Sequence, residues 1–154
     1  RDLHTAYRRQ RQMCIRDRDR KMKVYTAAYL GAFITFCLMD GIWLGIVATE
    51  FYFGALGDLL LEKPKWSMAA IFYIGYILGI VYFAIRPALK TRNFGQVLRD
   101  GALLGLLAYA TYDMTNMATL KGWSLTVSIV DMIWGMVITG TSAAGGYIAA
   151  RRFV

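Results

Sequence analysis

The sequence predicts an all-α integral membrane protein with four antiparallel transmembrane helices in a small bundle. Three observations carry this. Of 154 residues, 57% are hydrophobic and 18% charged, with a mean hydropathy of +0.40, whereas soluble domains run about 45–50% apolar and about 25% charged. Four stretches are each long enough for a bilayer core, which takes about 20 mostly apolar residues per helix. Most charges and chain breakers fall between those stretches. The composition excludes a disordered chain, which needs low hydrophobicity and high charge. Two cysteines are too few for a disulfide scaffold.

Residues 1–21 read as a basic N-terminal extension. The first twenty hold seven arginines and three aspartates, half of the formal net charge of +8, together with His4, the one histidine. They contain no glycine and no apolar periodicity, and RRQRQMCIRDR resembles translated sequencing adapter. The expectation is a gene-model artefact or a disordered tail, with Met22 opening a single domain, 22–154. The rival readings are a juxtamembrane tail touching anionic lipid and a nucleic-acid arm. With the segment set aside, no nucleic-acid partner is expected.

The first span, about 24–49, carries one charge, Asp40. It is too long for a cleaved signal peptide, and no A-x-A site follows it. Residues 50–65 form the first loop, with Gly54, Gly57, Pro64 and five charges. The second span, about 66–86, has no charge before Arg86 and is expected to stop at Arg86-Pro87, because proline cannot continue the backbone ladder. A polar loop, 90–100, contains Asn93 and Gly95. The third span, about 101–120, carries Asp113; Lys121-Gly122-Trp123 then makes a tight turn, so that the fourth span, about 123–150 with Asp131, runs back beside it.

Orientation follows from Lys and Arg in the short loops. One side collects Lys21, Lys23, Arg86, Lys90, Arg92, Arg99, Arg151 and Arg152; the other collects Lys63, Lys65 and Lys121. Both termini are therefore expected in the cytoplasm, with Trp66 and Trp123 at the outer interface. G-x-x-x-G pairs at Gly41/Gly45, Gly75/Gly79 and Gly101/Gly105, and the small-residue run from Thr139 to Gly146, predict close helix packing, within one chain or in a homodimer.

Three aspartates inside spans demand an explanation, since each costs roughly 2.5–3.5 kcal/mol by insertion scales. At about 1.5 Å per residue, Asp40, Asp113 and Asp131 all fall in the outer half, about 10–15 Å below the outer end, which suggests one shared site. No Lys, Arg or His lies in the spans at that level. The carboxylates are then either protonated or hold an external cation or amine. Tyr109, Asp113 and Asn116 share one helix face, with Tyr112 beside them. Asp40-x-x-Trp43 and Asp131-x-x-Trp134 repeat the pattern D-x-I-W, and an indole can cap an acyl chain, stack on a cation or donate to the carboxylate. The candidate ligand-binding set is thus Asp40, Trp43, Tyr109, Tyr112, Asp113, Asn116, Asp131 and Trp134, for a lipid or a small cationic ligand. The alternative is that these polar groups only glue helices together.

No histidine follows Met22, which disfavours haem, zinc and His-containing di-iron sites. Cys37 has no base beside it and reads as packing. No Gly-rich phosphate loop is present, so no cofactor and no metal are expected.

The stretch from Met22 to about Tyr147 resembles a bacterial family of small membrane proteins, domain of unknown function 2177. The resemblance rests on MDGIWLGIVATEFY (39–52), IVYFAIRPAL (80–89), AYATYDMTNMATLKGWS (108–124) and VDMIWG (130–135), and the first twenty residues depart from it. It implies four spans, a bacterial inner membrane and no established activity, with a hint toward acyl-lipid chemistry. Three functional readings stand at this point. The first is a protein that binds or translocates a proton, cation, amine or lipid. The second is a membrane enzyme modifying acyl lipids, with Asp113 as general acid/base assisted by Tyr109 or Tyr112. The third is a structural or accessory subunit.

Overall fold

The computed structural model describes residues 2–57, 61 and 63–154, with side chains from residue 13 onward other than 14, 47 and 49. It is all-helical among those residues. Helix α1 runs Asp2–Ile42, unbroken through the basic extension, and passes through a π-helical turn, Trp43–Val47, into α2, Ala48–Leu56. Helix α3, Trp66–Ile80, passes through a second π-helical turn, Val81–Ile85, into α4, Arg86–Thr91. Helices α5, Phe94–Thr119, and α6, Leu125–Ala150, complete the chain, with a short 3₁₀ turn at Arg151–Phe153.

Three expected boundaries move, each for a physical reason: the first is that α5 begins at Phe94, inside the expected loop 90–100, because Asn93 caps it. Residues 50–56, expected in a loop, are helical: EFYFGAL contains no residue that breaks a helix outright, and the chain departs only at Gly57, whose φ is +30°. Pro87 does not stop the second span either. The π-helical turn just before it widens the ladder, and the Arg86 amide reaches back five residues to the Val81 carbonyl. That wider turn accommodates a ring that would otherwise clash with the preceding turn, so the helix continues to Thr91.

The other ends follow sequence chemistry. Arg92 takes a left-handed conformation, φ 53°, and Asn93 caps α5 by accepting the Gln96 amide at 3.1 Å. Gly122, at φ +78°, turns the chain between α5 and α6 where the sequence places a tight turn, and Ser124 caps α6 through the Val127 amide at 3.4 Å.

Helix α6 is the centre of the packing, with α5 along one side and α1 along another. Both neighbours oppose it in direction: Gly31 of α1 meets Ala149 while Trp43 meets Trp134, and Gly101 of α5 meets Ala143 while Tyr109 meets Gly135. The α3–α4 segment closes the remaining side, its π-helical turn touching α1, α5 and α6. Small residues permit these approaches. A Cβ on Gly101 would lie 2.9 Å from that of Ala143, and one on Gly105 would run into the Gly135 backbone. The expected glycine motifs therefore divide: Gly101/Gly105 is an internal contact, whereas Gly41, Gly45, Gly75 and Gly79 have open space where a Cβ would stand.

Polarity is distributed inside-out. Asp40, Asp113, Asp131, Ser128, Thr139 and Ser142 are buried, while Leu30, Ile34, Leu38 and Ile42 form an exposed stripe along α1, with further exposed leucines, isoleucines and phenylalanines on α3, α5 and α6. Water would penalise such a surface; a bilayer would not. Among the described residues, three stretches are long and apolar enough to cross a membrane, Ile15–Ile46, Trp66–Thr91 and Leu125–Phe153. The expected fourth, at 101–120, lies in α5, which matches α6 at 26 residues but is diluted by Tyr109, Thr111, Tyr112, Asp113, Thr115 and Asn116 and is not among them. Thr111, Thr115 and Thr119 bond back to the carbonyls four residues earlier, which satisfies their hydroxyls within the helix.

Candidate functional site

The three aspartates come from α1, α5 and α6, and their surroundings differ. Asp40 is 8% exposed and accepts a hydrogen bond from the Tyr73 hydroxyl of α3. Asp131, also 8% exposed, accepts one from the Tyr52 hydroxyl of α2. Asp113 is wholly buried, and among the described residues neither of its oxygens has a hydrogen-bond partner. It lies within electrostatic reach of Asp131 and near Ser128, whose hydroxyl oxygen accepts the Trp123 indole N–H at 3.0 Å and keeps its own proton to donate.

Between the carboxylates lies a wall of rings. Trp43 and Trp134 stack with centroids 4.3 Å apart and planes 12° from parallel. The tryptophans of the two D-x-x-W segments thus meet face to face across the opposed helices α1 and α6. The Trp134 indole lies beside Asp40 and the Trp43 indole beside Tyr52, yet neither N–H completes a hydrogen bond. Tyr109 packs into the core and against Gly135, and both Asp40 and Asp131 lie within its electrostatic reach. Tyr76 extends the polar seam through a 2.8 Å bond between its hydroxyl and that of Thr139.

Of the expected site residues, Asp40, Trp43, Tyr109, Asp113, Asp131 and Trp134 come together around this wall. Tyr112 and Asn116 sit at its edge: Tyr112 is 60% exposed and meets Trp123 edge-on at 5.7 Å, with Asn116 half-buried beside it. The three carboxylates do not form a single ligand set. Among the described residues, no three His, Cys, Asp or Glu side chains are placed to hold a metal ion.

Sequence reasoning missed Tyr52, Tyr73, Tyr76 and Ser128. Tyr52 was hidden by the π-helical turn. In a regular helix of about 100° per residue, nine residues would place Tyr52 about 180° from Trp43; the extra residue of a π turn reduces that to about 80° and brings the hydroxyl round to Asp131. The Ala48 amide bonding back to the Trp43 carbonyl is the backbone sign of that turn. Tyr73 and Tyr76, three residues apart in an otherwise apolar run, were the available signal on α3.

Helices with lipid-compatible surfaces and polar groups turned inward define the class: an all-helical membrane protein. The chain belongs to the family described as predicted membrane protein (DUF2177), whose profile matches residues 25–148. Neither a curated protein nor a solved structure matches it.

Proposed function

We propose that the chain is a bundle of four antiparallel transmembrane helices in the plasma membrane of a bacterium, with both termini cytoplasmic, and that its carboxylate site takes up a proton or a small cation such as a primary amine. One observation carries the second part: Asp113 is wholly buried with both oxygens unpartnered, whereas Asp40 and Asp131 are each held by a tyrosine hydroxyl. A lone carboxylate charge in such a place costs several kcal/mol. A proton removes that charge; a cation or amine neutralises it, and an amine also supplies the missing donors. Tyr109, Trp43 and Trp134 wall the site with ring surface and keep water out.

The four-span reading is supported by the length of α5, its opposed contact with α6 along Gly101 and Gly105, and the outward Leu103, Leu107 and Met114. The orientation rests on the Lys and Arg bias between the two ends. The structural reading gains weight for Asp40 and Asp131 alone, whose tyrosine bonds are of the kind that fixes helix register.

Proteoliposomes containing the full chain test the site. Under an imposed methylammonium gradient, a lumenal pH dye should respond with wild type and with Gly79→Ala, whose added methyl meets nothing, and should fall to the level of empty vesicles with Asp113→Asn. A response from Asp113→Asn equal to wild type would overturn the reading and leave the aspartates structural.

A further inference from the structure

A second feature lies away from the carboxylates, at the end of the helices nearest Val154. Between α1 and the α3–α4 segment runs a groove of about 750 Å³ lined by Tyr25, Tyr29, Leu30, Leu78, Val81 and Tyr82, among others, and ending at Arg86. The size is that of a ligand site. The groove opens sideways, since Leu30, Leu78 and Tyr82 are all more than half exposed, toward what the proposed topology makes the bilayer. Arg86 also lines an adjoining pocket of about 290 Å³, together with Lys90, Arg92, Arg20 and Lys21. One half-buried guanidinium therefore joins an oily groove to a cationic cup, held there over the Tyr82 ring at 5.1 Å.

Five cations line the cup, Arg20, Lys21, Arg86, Lys90 and Arg92, and no Asp or Glu does; Val154, with its terminal carboxylate, is the one acidic neighbour on that lining. Among the described residues the ion pair present is Arg99–Asp100, at 2.9 Å; Arg86, Lys90 and Arg92 have no carboxylate partner. Convergent unpaired cations need an anion, and a planar guanidinium matches the paired oxygens of a phosphate. A free anion would leave the adjoining groove empty, whereas a lipid fills both parts. Basic pockets between membrane helices suit anionic head groups for this reason. We infer that the groove and cup together seat an anionic phospholipid, its phosphate on Arg86, Lys90 and Arg92 and an acyl chain along Tyr29, Leu78 and Tyr82. The site is independent of the carboxylate reading and uses none of its residues.

Native mass spectrometry of the full chain in detergent tests this. The protein is offered equal amounts of phosphatidylglycerol and phosphatidylcholine with identical acyl chains. Wild type should retain phosphatidylglycerol at least about tenfold better, and the double variant Arg86→Gln/Lys90→Gln should lose that preference. Arg99→Gln, which removes a charge elsewhere, should keep it. Leu30→Trp, which fills the groove from its exposed side and leaves every cation in place, should reduce phosphatidylglycerol retention and so tests the site even where the charge variants fold poorly. Equal retention of the two lipids by wild type would overturn the inference, as would an undiminished preference in the double variant. So would displacement of phosphatidylglycerol by glycerol 3-phosphate at matched concentration, since the groove would then contribute nothing.

Discussion

Asp40 and Asp131 each depend on one tyrosine hydroxyl, so Tyr73→Phe and Tyr52→Phe each strand a buried carboxylate. Loss of a partner to a buried charged group costs about 1–3 kcal/mol or more, and thermal unfolding in detergent should show both variants clearly below wild type. An unchanged midpoint would mean that the bonds contribute nothing. Asp113→Asn removes a charge and loses no hydrogen bond, so its midpoint should stay level or rise, opposite in sign to the tyrosine variants. The aspartates and tryptophans of the site were legible because a charge or an indole pair stands out in an apolar run. Tyr109 was legible by its spacing from Asp113, but Tyr52, Tyr73 and Tyr76 were not: Tyr is an ordinary residue of such runs, and the facing of Tyr52 depends on a backbone insertion that spacing alone does not reveal.

Helix facing is also what divides the three G-x-x-x-G motifs, which are identical as patterns. A Cβ on Gly105 would collide with the Gly135 backbone, which cannot swing aside as a side chain would, while one on Gly79 meets nothing. Gly105→Ala should lower the unfolding midpoint, by the equivalent of about 1–3 kcal/mol for a forced overpacking. Gly79→Ala should be neutral or slightly stabilising, because it adds helix propensity at no steric cost. Equal effects at both positions would mean that α5 and α6 do not pack as described. Apolar length and loop chemistry disclosed the long helices and the tight turn at Lys121-Gly122; the caps at Asn93 and Ser124 came from the structure. What escaped was continuity across local irregularities: the π-helical turn that carries α3 past Pro87, and the aromatic stretch that stays helical as far as Leu56. In both places a breaker or a charge in the sequence marked a boundary that backbone geometry absorbs.

At the scale of the whole molecule the membrane topology turns on α5, which has the length to span a membrane and a hydropathy lowered by its polar residues. Those residues are not an argument against spanning. Asp113 turns inward, the threonine hydroxyls are satisfied by their own helix, and Leu103, Leu107 and Met114 point outward. Mean hydropathy averages over faces, whereas lipid meets only one of them. Thr111, Thr115 and Thr119 lie on the exposed side, yet hydroxyls bonded within their own helix lower the average without presenting unsatisfied polar groups to lipid. Two turns bracket α5, at Arg92-Asn93 and at Lys121-Gly122, and a spanning helix puts them on opposite sides of the membrane. In a chain whose two native cysteines are replaced by serine, single cysteines at Arg92 and Lys121 can be challenged with a membrane-impermeant maleimide on intact cells. Lys121→Cys should label from outside, and Arg92→Cys only after the membrane is opened, because its loop belongs to the end rich in Lys and Arg. Labelling of both from the same side would mean that α5 lies along the membrane. The buried Asp113 site would then have to be rebuilt around three spans.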